Sequence, residues 1–241
     1  MSEEETMNTL PNGAKISDVD QNSEKWDQLR ATRPTASEAS KILTGGGKTS
    51  TQREQYMRTL SIASKYAVPS FTGNKWTERG HELEPEAIER LKKETNFDLR
   101  KVGFVESPIT CFGCSPDQFI YHNDSPIAGA EVKCFKMDKH LGIINKGVLP
   151  TENKAQVHSS LWVTGFPVWV FVLFCPEAFP LDFYMIEVTP DDYTVKMGNA
   201  ITEFHNEYQS KWAQYLAEYE LSLDQSDISQ SLPTLTNLIK N

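Results

Sequence analysis

No run of apolar residues in this 241-residue chain is long enough to cross a bilayer. The longest, Val168 to Cys175, is eight residues, which suits a buried strand and falls far short of the roughly 20 residues of a spanning helix. Cysteine is scarce, with four residues at positions 111, 114, 134 and 175. Cys111 and Cys114 form a C-x-x-C, but no second pair at comparable spacing exists to complete a zinc site. The opening Met1-Ser2-Glu3-Glu4-Glu5 is acidic and polar, unlike a secretory signal. The expectation is therefore a cytoplasmic protein with reduced core thiols. No serine, histidine and acid grouping carries the signature of a nucleophilic triad. No internal repeat is present.

Positive charge is also short, and the formal net charge of −9 argues at first against a nucleic-acid partner. The deficit is uneven. Residues 1–24 carry six acids against Lys15, and residues 159–241 carry eleven acids against three bases. Between them, residues 25–158 hold twenty Lys/Arg and sixteen Asp/Glu, a surplus of four positive charges. A phosphate-binding surface therefore has a place to form, in the middle of the chain.

The length suits one sizeable domain. Residues 1–22 read as a flexible acidic tail, 23–222 as the domain and 223–241 as a polar tail. Ser23 to Arg30 predicts a short helix. Thr35-Ala36-Ser37-Glu38 predicts a second through Leu43, with Thr35 as N-cap and Glu38 completing a capping box. Gly45-Gly46-Gly47 ends it. This run, followed by Lys48-Thr49, is not a P-loop, because Ile42 stands at the first glycine position and a helix precedes it. Longer helices are expected over 51–67 and 75–96, then strands over 99–106, 111–121 and 127–135. Short helices over 138–145 and 153–164 follow. Strands over 168–175 and 183–188 form a hairpin turned by Pro176 to Pro180. A long amphipathic helix spans 191–221, with Phe204, Tyr208, Trp212 and Tyr215 on one face. The order of elements predicts an α/β fold with a central mixed sheet flanked by helices.

The most informative stretch is Cys114-Ser115-Pro116-Asp117 followed by Glu131-Val132-Lys133. Asp117 leads into an apolar strand, His122-Asn123-Asp124-Ser125-Pro126 is turn chemistry, and Ile127 to Phe135 is the returning strand. Paired strands lie about 5 Å apart, so Asp117 and Glu131 can face one point. Glu131 and Lys133 are two apart and share a side of their strand. The Val132 carbonyl lies beside them as a further oxygen ligand. Mg²⁺ takes one or two carboxylates plus water and substrate phosphate, activates a water for in-line displacement, and leaves developing negative charge for an ammonium such as Lys133 to offset. An isolated E-x-K is more often the wet face of a hairpin; the S-P-D turn counts against that.

Other residues read both ways. Glu84 sits on an acid-rich helix, ordinarily a solvated face. Gln156, in Ala155-Gln156-Val157-His158, is as readily structural as catalytic. Arg30, Arg33 and Ser37 gather at a helix start, where phosphate binding is favoured but a solvated cap serves equally.

Six ordered motifs over roughly residues 24–220 resemble one family. They are W-x2-L-R (Trp26 to Arg30), T-A-S-E (Thr35 to Glu38), G-x3-E-x-x-A (Gly80 to Ala87), C-S-P-D, E-V-K-C and A-Q-V-x3-L-W-V-T. Together they are similar to the lambda-type phage exonucleases, the YqaJ-like viral recombinase nucleases. The resemblance implies a restriction-endonuclease-like (PD-(D/E)XK) core. It implies Mg²⁺-dependent 5′→3′ digestion of double-stranded DNA ends to mononucleotides for recombination, with Mn²⁺ able to substitute. It also implies a homotrimer and a single-strand annealing protein as partner. By that resemblance Glu84, Asp117, Glu131 and the Val132 carbonyl hold metal, and Lys133 and Gln156 serve the chemistry. Arg30 and Ser37 hold the 5′-phosphate, with Ser115 beside the site. Lys48 and Arg53 become candidates for strand contacts, although the Gly45–Lys48 loop departs from the family's basic loop. Trp76 is the nearest candidate for a strand-separating wedge. No cysteine follows Cys175, so an iron–sulfur cluster is not expected. Two alternatives remain: a single-strand-specific or endonucleolytic enzyme on the same core, and a catalytically silent DNA-end-binding scaffold.

Overall fold

The computed structural model describes residues 9–66 and 75–229, with side chains from 79 to 223 in the second stretch. Its centre is a five-stranded mixed sheet in the order β2-β5-β6-β7-β8. These strands span Asp98–Arg100 (β2), Gln118–His122 (β5), Ser125–Lys133 (β6), Trp169–Phe174 (β7) and Phe183–Val188 (β8). Only β6 and β7 pair in parallel, Glu131 standing opposite Phe171. Their crossover runs through α4 (Met137–Lys146) and α5 (Thr151–Thr164), as parallel strands require. A second, antiparallel sheet joins β1 (Lys15–Ser17), β3 (Phe104–Glu106) and β4 (Gly113–Cys114).

β7 is buried on both faces along all six residues. Its alternation divides the core, because successive side chains leave a strand on opposite sides. Val170, Val172 and Phe174 meet Ala87 and Leu91 of α3 (Lys75–Thr95), whereas Trp169, Phe171 and Leu173 face the larger cluster with α5. That cluster also takes Tyr56, Met57 and Leu60 of α2 (Arg53–Tyr66) and Met197, Phe204, Tyr208 and Tyr215 of α6 (Asp192–Ser229). Of the aromatic stripe on the last helix, Phe204, Tyr208 and Tyr215 are therefore core, whereas Trp212 is exposed and donates its indole N–H to Ser64 Oγ at 2.8 Å. The hairpin between β5 and β6 turns on Asn123 and Asp124, both in the left-handed region at φ 48° and 60°, a conformation these two side chains tolerate.

Several sequence expectations change here. The capping box is absent: Ala36–Lys41 is a 3₁₀ helix whose N-cap, Thr35, makes no side-chain cap bond. The Thr35 hydroxyl meets Ser37 Oγ at 3.2 Å, and Glu38 pairs with Lys41. The strand expected over 99–106 divides between the two sheets as β2 and β3. Gly103 marks the break, where a Cβ would overlap the Val19 carbonyl. The strand expected over 111–121 divides likewise into β4 and β5, around Pro116, which lacks an amide to extend a ladder. From Thr9 onward the expected N-terminal tail is part of the fold, with β1 paired to β3 and Leu10 and Ala14 buried. The last helix continues through Ser229, past the expected boundary at 222. Among the described residues no helix is long and apolar enough to cross a membrane, and all four cysteines are free.

Candidate active site

The break at Pro116 turns Asp117 out of strand alignment and over β6. Its amide still donates to the Ala130 carbonyl at 3.1 Å. Its Oδ2 accepts the Val132 amide at 2.6 Å, so the backbone of the next strand fixes the carboxylate. Glu131 points to the α5 side and is 4% exposed. Its Oε1 accepts from Lys133 Nζ and from Gln156 Nε2, both at 2.6 Å. Gln156 is held in turn by its helix, where Ser159 and Ser160 hydroxyls cap its carbonyl at 2.9 Å.

Asp117, Val132 and Lys133 line a cleft of about 730 Å³ whose opposite wall is Gly80, His81 and Glu84 of α3. Burial, then the charge of Glu131 and more weakly that of Glu84, push the Asp117 carboxyl well above the usual carboxylate range. Desolvation pulls Lys133 down, but Glu131 and Asp117 outweigh it and hold the ammonium above its ordinary value. Among the described residues, no three His, Cys, Asp or Glu side chains converge closely enough to ligate one ion. The donor set gathered here is thus two carboxylates and a peptide carbonyl, with Glu84 across the cleft.

A second group adjoins the first. α1 (Glu24–Ala31) is capped by Ser23, which accepts the Trp26 amide. It sets Trp26 and Arg30 one turn apart, with the guanidinium 4.4 Å over the indole. Arg30 Nη2 donates to Ser37 Oγ at 2.9 Å. Trp26 Nε1 donates to Ser115 Oγ at 3.0 Å and to the Gly103 carbonyl at 3.2 Å. Burial lowers the Arg30 pKa from its ordinary value, and Glu131 is the largest opposing influence. Arg30, Ser37 and Ser115 therefore form one unit, within the field of Glu131. Trp26 is its hub, a role the i, i+4 spacing of W-x3-R signals and sequence reasoning left unassigned. Lys139 and Phe135 are also missed by sequence: they stack at 3.9 Å on the cleft wall.

Lys48 is exposed in a tight turn closed by hydrogen bonds between Thr44 and Lys48. The Arg53 guanidinium pairs with Glu207 of α6 at 3.0 Å and lies over Phe204, tying α2 to α6. Arg33 pairs with Glu106 at 2.7 Å. The Trp76 side chain lies outside the described residues.

Residues 25–167, more than half of the chain, match the family model of the YqaJ-like viral recombinase domain. Among solved structures, an alkaline exonuclease (LHK-Exo) from Laribacter hongkongensis is 25% identical, with a TM-score of 0.71 over 83% of this chain and 100% of that one. Its complex with dAMP gives 25% identity and a TM-score of 0.70 over the same shares. A phage related exonuclease from Haemophilus somnus 129PT shares the fold, with 15% identity and a TM-score of 0.58 over 80% of this chain and 99% of that one. No curated protein matches the chain. The restriction-endonuclease-like core expected from the resemblance is the fold observed, and the chain belongs to the YqaJ-like viral recombinase domain family.

Proposed function

We propose that this chain is a metal-dependent nuclease that resects double-stranded DNA ends 5′→3′, releasing mononucleotides and leaving 3′ single strands for recombination in the cytoplasm of a host cell. The observation that carries the reading is the meeting of Asp117 and Lys133 in one cleft, with Glu131 buried behind them, bonded to Lys133 and braced by Gln156. A module that only bound DNA ends would have no use for two carboxylates crowded beneath a lysine. The relatives support it by name: one is an alkaline exonuclease, and its complex holds dAMP, a mononucleotide of the kind an exonuclease releases.

The residues present fit a hard divalent cation. Asp117 carries a carboxyl driven upward by burial and by its acidic neighbours, so the site is short of positive charge. Mg²⁺ asks for only one or two carboxylates and keeps several waters, so the lack of a third converging ligand is no obstacle. Asp117, Glu131 and the Val132 carbonyl would hold it, with Glu84 acting across the cleft. When bound, such an ion lowers the pKa of water and screens charge on the phosphoryl oxygens.

The chain's own residues do the rest. Lys133 places its ammonium where the phosphoryl group gains negative charge, and Glu131 and Gln156 fix its direction. Arg30, steadied by Trp26 and Ser37, grips a terminal 5′-phosphate and sets the first phosphodiester over the carboxylates. Ser115 shares that network through Trp26.

Duplex DNA labelled at either end, incubated with the protein and Mg²⁺ or Mn²⁺, tests the proposal. Label should leave the 5′ end first as mononucleotide, and excess chelator should stop it. Release from 3′ ends first, internal cuts, or full activity in chelator would each overturn it.

A further inference from the structure

We propose that Gln21 is a positioning residue for Asp117: its side-chain amide clamps the Pro116–Asp117 peptide and so sets the carboxylate that would hold the metal ion. The role rests on the nuclease reading and adds to it a residue from the segment expected to be tail.

Gln21 Nε2 donates to the Pro116 carbonyl at 2.8 Å and to the Val102 carbonyl at 2.7 Å. Both partners only accept, so the amide nitrogen, with its two protons, is the atom that faces them. Each partner sits where the chain crosses between the two sheets, Val102 between β2 and β3 and Pro116 between β4 and β5. At such a crossing a carbonyl has left one ladder and not yet joined the next. Val102 and Pro116 are both buried, so without Gln21 two desolvated acceptors would lose their donor.

The consequence for Asp117 follows from the planarity of the peptide unit. Gln21 holds the carbonyl of the Pro116–Asp117 unit, and the Ala130 carbonyl takes its amide at 3.1 Å. Both polar ends of one rigid plane are fixed, and that plane sets where the Asp117 side chain leaves the backbone. The Val132 amide, 2.6 Å from Oδ2, then fixes the carboxylate itself. Ala130 and Val132 both belong to β6. Gln21 is the hold from the other side.

Gln21 is itself anchored. It stands in a turn closed by the Ser23 amide on the Asp20 carbonyl at 3.1 Å, with Asn22 in the left-handed region at φ 67°. Ser23 is the N-cap of α1. Trp26 of that helix donates to the Gly103 carbonyl, next to Val102, and to Ser115 Oγ, next to Pro116. Gln21 and Trp26 thus grip neighbouring residues on the same two crossings. Gln21 does so toward the carboxylates and Trp26 toward Arg30, so one short segment keeps the metal half and the phosphate half of the site in register.

The test is Mn²⁺ binding to the DNA-free chain, read from the electron paramagnetic resonance of the free ion, with Asp117→Asn marking the binding that belongs to this cleft. Gln21→Ala should weaken that binding about 10-fold, the scale of a lost outer partner of a metal ligand, at unchanged circular dichroism. Gln21→Met, which keeps the side chain's length and loses both donors, should do the same. Digestion by either variant should recover towards the parent rate as Mn²⁺ is raised, with the KM for DNA unchanged. Gln28→Ala, at an exposed position of α1, should match the parent throughout. A folded Gln21→Met variant with the parent's Mn²⁺ affinity would overturn the role, and so would loss of the fold in both variants, which would make the contact architectural. A parent chain that binds Mn²⁺ through Asp117 yet digests no DNA would overturn the nuclease reading and leave Gln21 in place. A parent chain that binds no Mn²⁺ through Asp117 would overturn both.

Discussion

The catalytic case rests on single atoms. Lys133→Ala should lower turnover by about 10²–10³, the scale of one lost electrostatic stabiliser, with circular dichroism unchanged; a folded variant turning over at the parent rate would remove Lys133 from the mechanism. Asp117→Asn should abolish digestion, yet it offers a second readout. The raised Asp117 pKa means that its charged form is disfavoured in the folded, metal-free chain. In chelator, that contribution favours folding below the unfolded-state carboxylate pKa and is lost as pH rises through the elevated folded value. Asn keeps an acceptor for the Val132 amide and carries no charge. The variant should therefore match or exceed the parent's urea midpoint at neutral pH in chelator, and the difference should shrink as pH falls. A variant less stable than the parent at every pH would contradict this account of the site.

Elements place those atoms, and here packing decides what sequence could foretell. The parallel pairing of β6 and β7 brings Gly129 against Trp169, and a Cβ there would overlap the indole. Gly129→Ala should destabilise the chain by about 1–3 kcal/mol, as overpacking does, read as a lower urea midpoint at unchanged m-value. On the other side of the site, Arg30→Ala should reduce the preference for 5′-phosphate over 5′-hydroxyl ends, with Ser37→Ala acting less; equal rates on both ends in the parent would exclude this phosphate pocket. The pairing of Asp117 with Glu131 and Lys133 was legible because turn chemistry and strand periodicity are local. Gln156 and Arg30 were not legible from their own neighbourhoods, and resemblance alone singled them out. The tie of Arg53 to Glu207 was hidden for the same reason, since the two are 154 residues apart. The false capping box at Thr35 shows a local pattern yielding to tertiary contact, since the Thr35 amide is taken by the buried Tyr56 hydroxyl at 3.1 Å.

At the scale of the molecule, the family resemblance implies a homotrimeric ring, and the structure limits where its contacts can lie. Three of the four residues of the stripe on the last helix are not available, Trp212 being the exposed one. Phe204, Tyr208 and Tyr215 are 0%, 5% and 3% exposed, taken up by α2 and the core. Apolar surface is instead found on the turn between β7 and β8, where Phe179 is 79% exposed and Leu181 52%. That turn is firmly seated. The Leu181 carbonyl meets His140 Nε2 at 2.7 Å, and Glu177 binds Arg79 at 2.9 Å. A large aromatic held rigidly in water suits a core contact of an interface. A ring requires such a patch to meet a different surface on the next copy, repeated around a threefold axis. Light scattering should accordingly give a mass near three chains, and Phe179→Glu should lower it towards one chain without altering the circular dichroism. Because a ring that encloses its duplex leaves only at an end, the parent should keep digesting after excess unlabelled trap DNA is added, and the Phe179→Glu variant should stop. A parent that is a monomer and is arrested by the trap would refute the ring while leaving the chemistry at Asp117, Glu131 and Lys133 in place.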